Sequence, residues 1–331
     1  MTTLLISLTC GAFLVLGISY FTYFQCFRAD PKRRDEPFAE IRGKQYRENR
    51  ENMLSATRIM LSSKSEDVSI TSHDGLRLCG KYYHTKDGAP LQIVFHGYRS
   101  LAQRDCTGSF ILAKKIGFNV LAVDQRSHAK SAGHAIAFGI LERKDCVAWA
   151  EYAAQRFGKD TPIVLSGLSM GGATVLMASA LPLPANVCCV IADCPFSSAK
   201  TIIKKVCRDR KLPDALSYPF IRIGARVFGG FSLEEASAEE AVKDSKLPIL
   251  LIHGEDDRFV PCDMSRAIYH NCCTPVQLHT FPGAGHCLSY MTDPIRYEDV
   301  NVRFLWEIPA LYDYLAKSDF VQKQLRGEMQ Y

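Results

Sequence analysis

The stretch Ile163-Val164-Leu165-Ser166-Gly167-Leu168-Ser169-Met170-Gly171-Gly172 decides the fold. Its three leading branched residues read as a buried strand, and Ala173 to Ala180, small and apolar, reads as the helix that follows. Between them stands G-x-S-x-G. Gly167 and Gly171 leave room where side chains would collide with the neighbouring strand and helix, so a tight, strained turn can lift the Ser169 hydroxyl off the sheet. The helix beginning there aims its first amides at that hydroxyl, and the Met170 N–H is placed to donate to a developing oxyanion. Alone, G-x-S-x-G is a weak sign; between a strand and a helix it marks a nucleophile.

Outward from this unit the chain repeats strand and helix. Val68 to Ile70 and Leu76 to Tyr83 flank a His73-Asp74-Gly75 turn as an antiparallel hairpin. Leu91 to Phe95, Val120 to Val123, Ile163 to Leu165, Val187 to Ile191, Ile249 to Ile252 and Val276 to Thr280 read as buried strands. Phe110 to Lys115, Cys146 to Phe157, Ala173 to Ala180 and Met264 to His270 lie between them with helical spacing. This order predicts an α/β fold, a mostly parallel eight-stranded sheet covered by helices on both faces. About fifty residues between Asp193 and Pro248 hold no good strand, only possible helices over Ser198 to Arg208, Pro219 to Phe228 and Leu233 to Val242. Inserted at the strand ends where ligands bind, they read as a helical cap over 197–246. Its Tyr218, Phe220, Ile221, Ile223, Val227, Phe228 and Phe231 then either shape a substrate pocket or simply pack the cap onto the core.

A serine hydroxyl needs a base to remove its proton. Of nine histidines, His286 fits best, in the loop Pro282-Gly283-Ala284-Gly285-His286 directly after the last strand. The acid should follow a strand between serine and histidine. Leu250-Leu251-Ile252-His253-Gly254-Glu255-Asp256-Asp257-Arg258-Phe259-Val260-Pro261 ends such a strand in carboxylates. Asp257 is chosen, three before Val260, where the chain restarts into a helix; Asp256 is the near alternative and Asp193 a distant one. A second oxyanion donor should come from the loop after the third strand, His96-Gly97-Tyr98-Arg99-Ser100, through the Tyr98 N–H. Arg99 would bind an anionic substrate group or pair with a neighbouring carboxylate.

With these motifs in hand, the sequence resembles the α/β-hydrolase superfamily over about Val68 to Leu315, especially the serine aminopeptidase-like and esterase-like branch of bacterial capped hydrolases. Asp124-Gln125-Arg126-Ser127-His128-Ala129-Lys130-Ser131 is similar to the family's D-x-R-x-H-G-x-S stretch, with Ala129 where glycine is usual. The resemblance makes Asp124 and His128 structural. It implies cleavage of an ester, thioester or amide through an acyl-enzyme on Ser169, His286 and Asp257, with Tyr98 and Met170 as the oxyanion hole and no metal or organic cofactor. A carboxylesterase on a small-molecule acyl ester leads. A peptidase whose Glu234 or Glu239 holds a substrate amine is the alternative, and a catalytically silent binding module a third reading. The oligomeric state stays open.

Composition limits the remainder. Of 331 residues 47% are hydrophobic, enough for a substantial core. Arg28 to Lys64 carries ten Lys and Arg against six Asp and Glu, which is +4 of the net +5, so the rest offers no basic face for nucleic acid. Residues 1–27 contain no charge, and Leu4 to Phe27 is long enough to cross ~30 Å of hydrocarbon at about 1.5 Å per residue. Aromatic residues crowd its C-terminal end, Arg28, Lys32, Arg33 and Arg34 follow, and that end is expected on the cytoplasmic side. A cleaved leader is the competing account, though no basic residue precedes the apolar run. Thirteen cysteines, irregularly spaced within apolar runs, fit a reducing compartment, with no zinc-like spacing. The expected layout is a transmembrane anchor over 1–27, a charged juxtamembrane spacer over 28–65 with a possible helix from Phe38 to Met60 that either touches anionic headgroups through its basic residues or is simply solvated, an α/β core over 66–196 and 247–331, and the cap.

Overall fold

The computed structural model describes residues 1–29, 36–38 and 43–328. Eight strands form one sheet: β1 (Glu66–Thr71), β2 (Arg77–Tyr83), β3 (Leu91–Phe95), β4 (Asn119–Asp124), β5 (Ile163–Leu168), β6 (Val187–Asp193), β7 (Ile249–Gly254) and β8 (Val276–Phe281). Their spatial order is β1-β2-β4-β3-β5-β6-β7-β8. The β1–β2 hairpin lies antiparallel on β4, and β3 to β8 run parallel. The chain steps one way from β3 to β4 and the other way from β4 to β5. The boundary between β3 and β5 is therefore the switch point, where open parallel sheets bind ligands.

Every residue of β3, β4, β5 and β7 is buried, as continuous apolar runs sandwiched between helical layers should be. Side chains alternate between the faces: Leu165 and Leu251 join Trp149 and Val175 on one, Val164 and Leu250 join Phe110 and Val302 on the other. Strands β5 and β7 run past the apolar stretches into Ser166-Gly167-Leu168 and His253-Gly254, because parallel neighbours continue the ladder there, Leu168 opposite Asp193 and Gly254 opposite Phe281.

The insertion between β6 and β7 is helical, over Ala199–Asp209, Asp214–Gly224 and Ala238–Asp244, with a π-helical turn at Ala225–Gly229. Its second helix starts earlier than the position of Pro219 suggests, leaving that proline inside it. Its third starts later, where Ser237 Oγ accepts the Glu240 N–H as an N-cap.

Two N-terminal segments differ from expectation. The helix Thr2–Cys26 is long and apolar enough to cross a membrane, yet its last turns are packed against the protein: Ser19, Tyr23 and Phe27 are buried, the rings of Tyr23 and Phe27 against Phe228 and Phe231 of the insertion. The charged run holds helices Lys44–Glu48 and Arg50–Ser62, not one helix from Phe38. Its Ala56, Thr57 and Met60 are buried, Met60 completely and in the same buried cluster as Phe110, because an i, i+4 apolar stripe runs through the charged sequence. This part of the expected spacer is packed rather than solvated; Lys32, Arg33 and Arg34 lie outside the described residues.

Candidate active site

Between β5 and the helix Met170–Ala178, Ser169 sits at φ 54°, ψ −113°, a conformation that costs a non-glycine residue about 1–3 kcal/mol. Neighbouring glycines permit it. A Cβ on Gly167 would lie 2.2 Å from the Gly171 backbone, and one on Gly171 would lie 2.0 Å from the Phe95 carbonyl oxygen. The strained turn is held from below by the Ser169 N–H, which donates to the Asp193 carbonyl at 2.8 Å.

His286, in the loop after β8, reaches this hydroxyl. Its Nε2 is 3.0 Å from Ser169 Oγ, and its Nδ1 is 2.6 Å from Asp257 Oδ2. Asp257 lies in the turn after β7. Its Oδ1 accepts the N–H groups of Phe259 and Val260 at 2.9 and 2.8 Å, which fixes the carboxylate and leaves Oδ2 for the imidazole. The two near rivals point elsewhere: Asp256 is exposed, and Glu255 accepts from Thr280 Oγ1. Asp193 is buried and accepts from Ser289 Oγ at 3.3 Å. Burial pushes its carboxyl up to about 6, and its hydrogen-bond partner is Ser289, whereas the imidazole Nδ1 is turned to Asp257.

The electrostatics of the trio follow from its partners. Burial opposes ionisation of Asp257, but hydrogen bonds from His253 and His286 outweigh it and hold the carboxyl well below the usual range. Burial disfavours the imidazolium of His286, while the Cys194 sulfur and the Asp257 carboxylate favour it, and its pKa lies well above the ordinary histidine value. Because burial also lifts the Cys194 thiol far above its usual pKa, Asp257 is the charge that acts at neutral pH.

Tyr98 follows β3, and Met170 opens the helix after Ser169. Among the described residues neither backbone N–H donates to another protein group, unlike their neighbours: Gly97 N–H donates to Asp105 Oδ2 at 2.9 Å, and Arg99 N–H to His128 Nε2 at 3.0 Å. His128 and His96 are buried edge to face with centroids 4.7 Å apart, and desolvation lowers their pKa values to about 3 and about 4. They remain neutral and brace this loop. Among the described residues Arg99 pairs with no carboxylate and does not line the cleft; its Nη2 donates to the carbonyls of Gln25 and Arg28.

Ser169 and His286 open into a cleft of about 400 Å³. Its walls include Tyr98, Phe259 and Tyr290 and, from the N-terminal segment, Gln45, Tyr46 and Met53. The apolar insertion residues expected to shape a pocket do not line it. Tyr218, Phe228 and Phe231 instead pack inward or against the N-terminal helix. Glu234 accepts from Tyr218 and pairs with Arg222, and neither it nor Glu239 lines the cleft. Sequence spacing also hides a thiol pair. Cys194 and Cys287 bring their sulfurs to 3.6 Å beside His286, one after β6 and one after the histidine, and the three could offer ligand atoms within 4.8 Å of one another.

Comparison with known proteins accords with this geometry. The model of the alpha/beta hydrolase family matches residues 93–300. Among curated relatives, human protein ABHD12B is 26% identical over 275 residues, covering 77% of this chain and 69% of that protein. The uncharacterized protein YqkD of Bacillus subtilis is 25% identical over 57% of this chain, which spans 63% of YqkD. Among solved structures, the Pyrococcus furiosus esterase Pf2001 superposes with a TM-score of 0.61 at 26% identity, covering 75% of this chain and 92% of that one.

Proposed function

The chain belongs to the alpha/beta hydrolase family, and from that premise we propose that it is a membrane-anchored serine hydrolase of carboxylesterase type. The observation that carries the reading is the continuous relay from Asp257 Oδ2 through His286 to Ser169 Oγ, at 2.6 and 3.0 Å. With the Nδ1 proton directed at Asp257, Nε2 is left to accept the serine proton as Oγ attacks an acyl carbon. The free N–H groups of Tyr98 and Met170 receive the oxyanion. Collapse of the tetrahedral intermediate expels the alcohol, which takes the proton from His286, and water repeats the cycle to release the acid.

An ester fits this cleft better than a peptide with a free amine. The carboxylates along it are engaged, Asp105 by the Gly97 N–H and Asp193 by Ser289. The esterase likeness supports the same choice. In this reading the N-terminal segment is the anchor, its exposed residues 1–18 in the bilayer and its last turns docked on the insertion over 197–246, and the catalytic core over 66–196 and 247–331 lies on the cytoplasmic side with the basic residues after the span.

The test is turnover of short p-nitrophenyl esters by the full chain in detergent, together with fluorophosphonate labelling. Ser169→Ala is expected to abolish labelling and to lower kcat by about 10⁴-fold or more. Wild-type turnover in that variant would end the proposal.

A further inference from the structure

The C-terminal end of the N-terminal helix and the loop after β3 complete one another. A helix leaves its last carbonyls without intrahelical donors. Here Tyr98 Oη donates to the Cys26 carbonyl at 2.6 Å, and Arg99 Nη2 donates to the carbonyls of Gln25 at 2.9 Å and Arg28 at 3.2 Å. The side chains that cap this helix thus belong to the residue whose N–H faces the reaction and to the next one. Arg99 also holds φ 52°, a left-handed conformation that persists in a non-glycine residue only when its surroundings enforce it. The enforcing contacts are its N–H to His128 on one side and its guanidinium to the helix on the other.

The helix cannot move freely against that loop. Phe27 is fully buried, its carbonyl accepts the Ile136 N–H at 2.7 Å, and Tyr23 Oη donates to the His134 carbonyl at 3.3 Å. On the insertion, Gly224 lets the helix come close: a Cβ there would lie 2.4 Å from the Ser19 carbonyl oxygen. Thr22 Oγ1 donates to the Phe220 carbonyl across the same crossing.

We propose that the last turns of the N-terminal helix are a positioning element of the active site, holding the Tyr98 N–H at its oxyanion-binding angle through the side chains of Tyr98 and Arg99. This rests on the serine-hydrolase reading above. A bilayer-spanning helix so attached makes the chemistry depend on how the span sits against the insertion. Tyr98 and Arg99 act as positioning side chains, and Gly224, which does not line the cleft, acts through the helix.

The experiment uses the full chain in detergent with p-nitrophenyl acetate, a substrate soluble enough to need no bilayer. Tyr98→Phe, Arg99→Ala and Gly224→Ala are compared with the parent and with Ser169→Ala. Since a lost oxyanion donor costs about 10²–10³-fold, a misaimed one is expected to lower kcat about tenfold with KM within about twofold. The inhibition constant of a trifluoromethyl ketone, which forms an oxyanion on the serine, should rise in proportion to the loss of kcat/KM. A merely structural role would lower the thermal midpoint or the active fraction without that proportionality. Should Arg99→Ala fold poorly, Gly224→Ala tests the same link from the opposite side of the helix. Unchanged kcat in Arg99→Ala and Gly224→Ala, or losses confined to KM with the ketone binding as before, overturns the proposal. If those variants are unaffected while Ser169→Ala is inactive, only the coupling falls; if Ser169→Ala stays active, the serine-hydrolase reading falls with it.

Discussion

The corner holding Ser169, His286 and Asp257 and the N-terminal segment that reaches the same cleft are built on opposite principles. At the corner each side chain stands at the end of a sheet strand, and local chemistry dictates its neighbours: glycines where the backbone crowds, an aspartate whose second oxygen closes its own turn. The N-terminal segment has no such local grammar. Its helix and the 43–62 run take their places through tertiary contacts, with Phe27 and Met60 fully buried and Gln45 and Tyr46 over the cleft. Motif residues therefore announce a site, while the segments that wall it are set by packing that no short spacing encodes.

The sharpest way to break this contrast is truncation. Removing residues 1–65, as a purely tethering segment would permit, deletes Phe27, Ala56 and Met60 from the core. Emptying a single buried Phe or Met site costs about 2–5 kcal/mol, and whole domains are stable by only about 5–15 kcal/mol. The 66–331 fragment is expected to be aggregated or molten, seen as loss of a cooperative thermal transition, whereas removing residues 2–18, almost all exposed, should leave the midpoint in detergent nearly unchanged. A folded, fully active 66–331 fragment would return this segment to the role of a tether.

At the corner itself Asp257→Asn should leave the fold intact and lower kcat/KM by about 10³–10⁴-fold, since an amide in place of the carboxylate no longer holds the imidazole in the tautomer that presents Nε2 to Ser169. Stopped assays on p-nitrophenyl esters read the loss directly. Asp256→Asn should be close to wild type because that side chain is exposed; a reversal of the two results would reassign the acid.

The pH profile sharpens the same comparison with a smaller effect. His286 must be neutral at Nε2 to accept a proton, and its pKa is raised above the ordinary histidine value of about 6.5. Activity of the free enzyme should therefore fall about tenfold per pH unit below a midpoint lying above 6.5. Stability runs the other way: a raised histidine pKa contributes stabilisation that is complete below the unfolded value and is lost as pH rises through the folded one. Asp257, held low, stays charged throughout the window. An acid limb of kcat/KM centred below 6.5 would contradict the link between His286 and Asp257.

How far the sequence could be read follows the same division. Strands were legible because buried parallel strands are continuous apolar runs, and their far ends were not, because the ladder carries Ser166-Gly167-Leu168 along regardless of composition. The meeting of Ser169 with His286 and Asp257 was legible because each follows a strand in a fixed order. Burial at Ser19, Tyr23 and Phe27 was not, since a four-residue spacing inside a uniformly apolar run carries no contrast. The thiols of Cys194 and Cys287, ninety-three positions apart, meet only because β6 and the loop after β8 end at the same edge.

The smallest effect tests the one departure from the family stretch. Ala129 lies at φ 41°, within the left-handed region, next to Ser127 at φ 66° and Lys130, whose N–H lies 3.5 Å from Asp124 Oδ2. Alanine there costs on the order of 1 kcal/mol in strain relative to glycine, but glycine gives the unfolded chain about 0.5–1 kcal/mol more conformational entropy to lose. The two nearly cancel, so Ala129→Gly should change unfolding free energy by less than about 1 kcal/mol, with a small gain if strain prevails, measurable by urea denaturation in detergent. Ala129 is also buried and its segment packs on β2 through Ser131 Oγ, which accepts the Cys79 N–H at 2.8 Å. A loss above about 2 kcal/mol would mean that the alanine methyl is a packing contact rather than a tolerated strain.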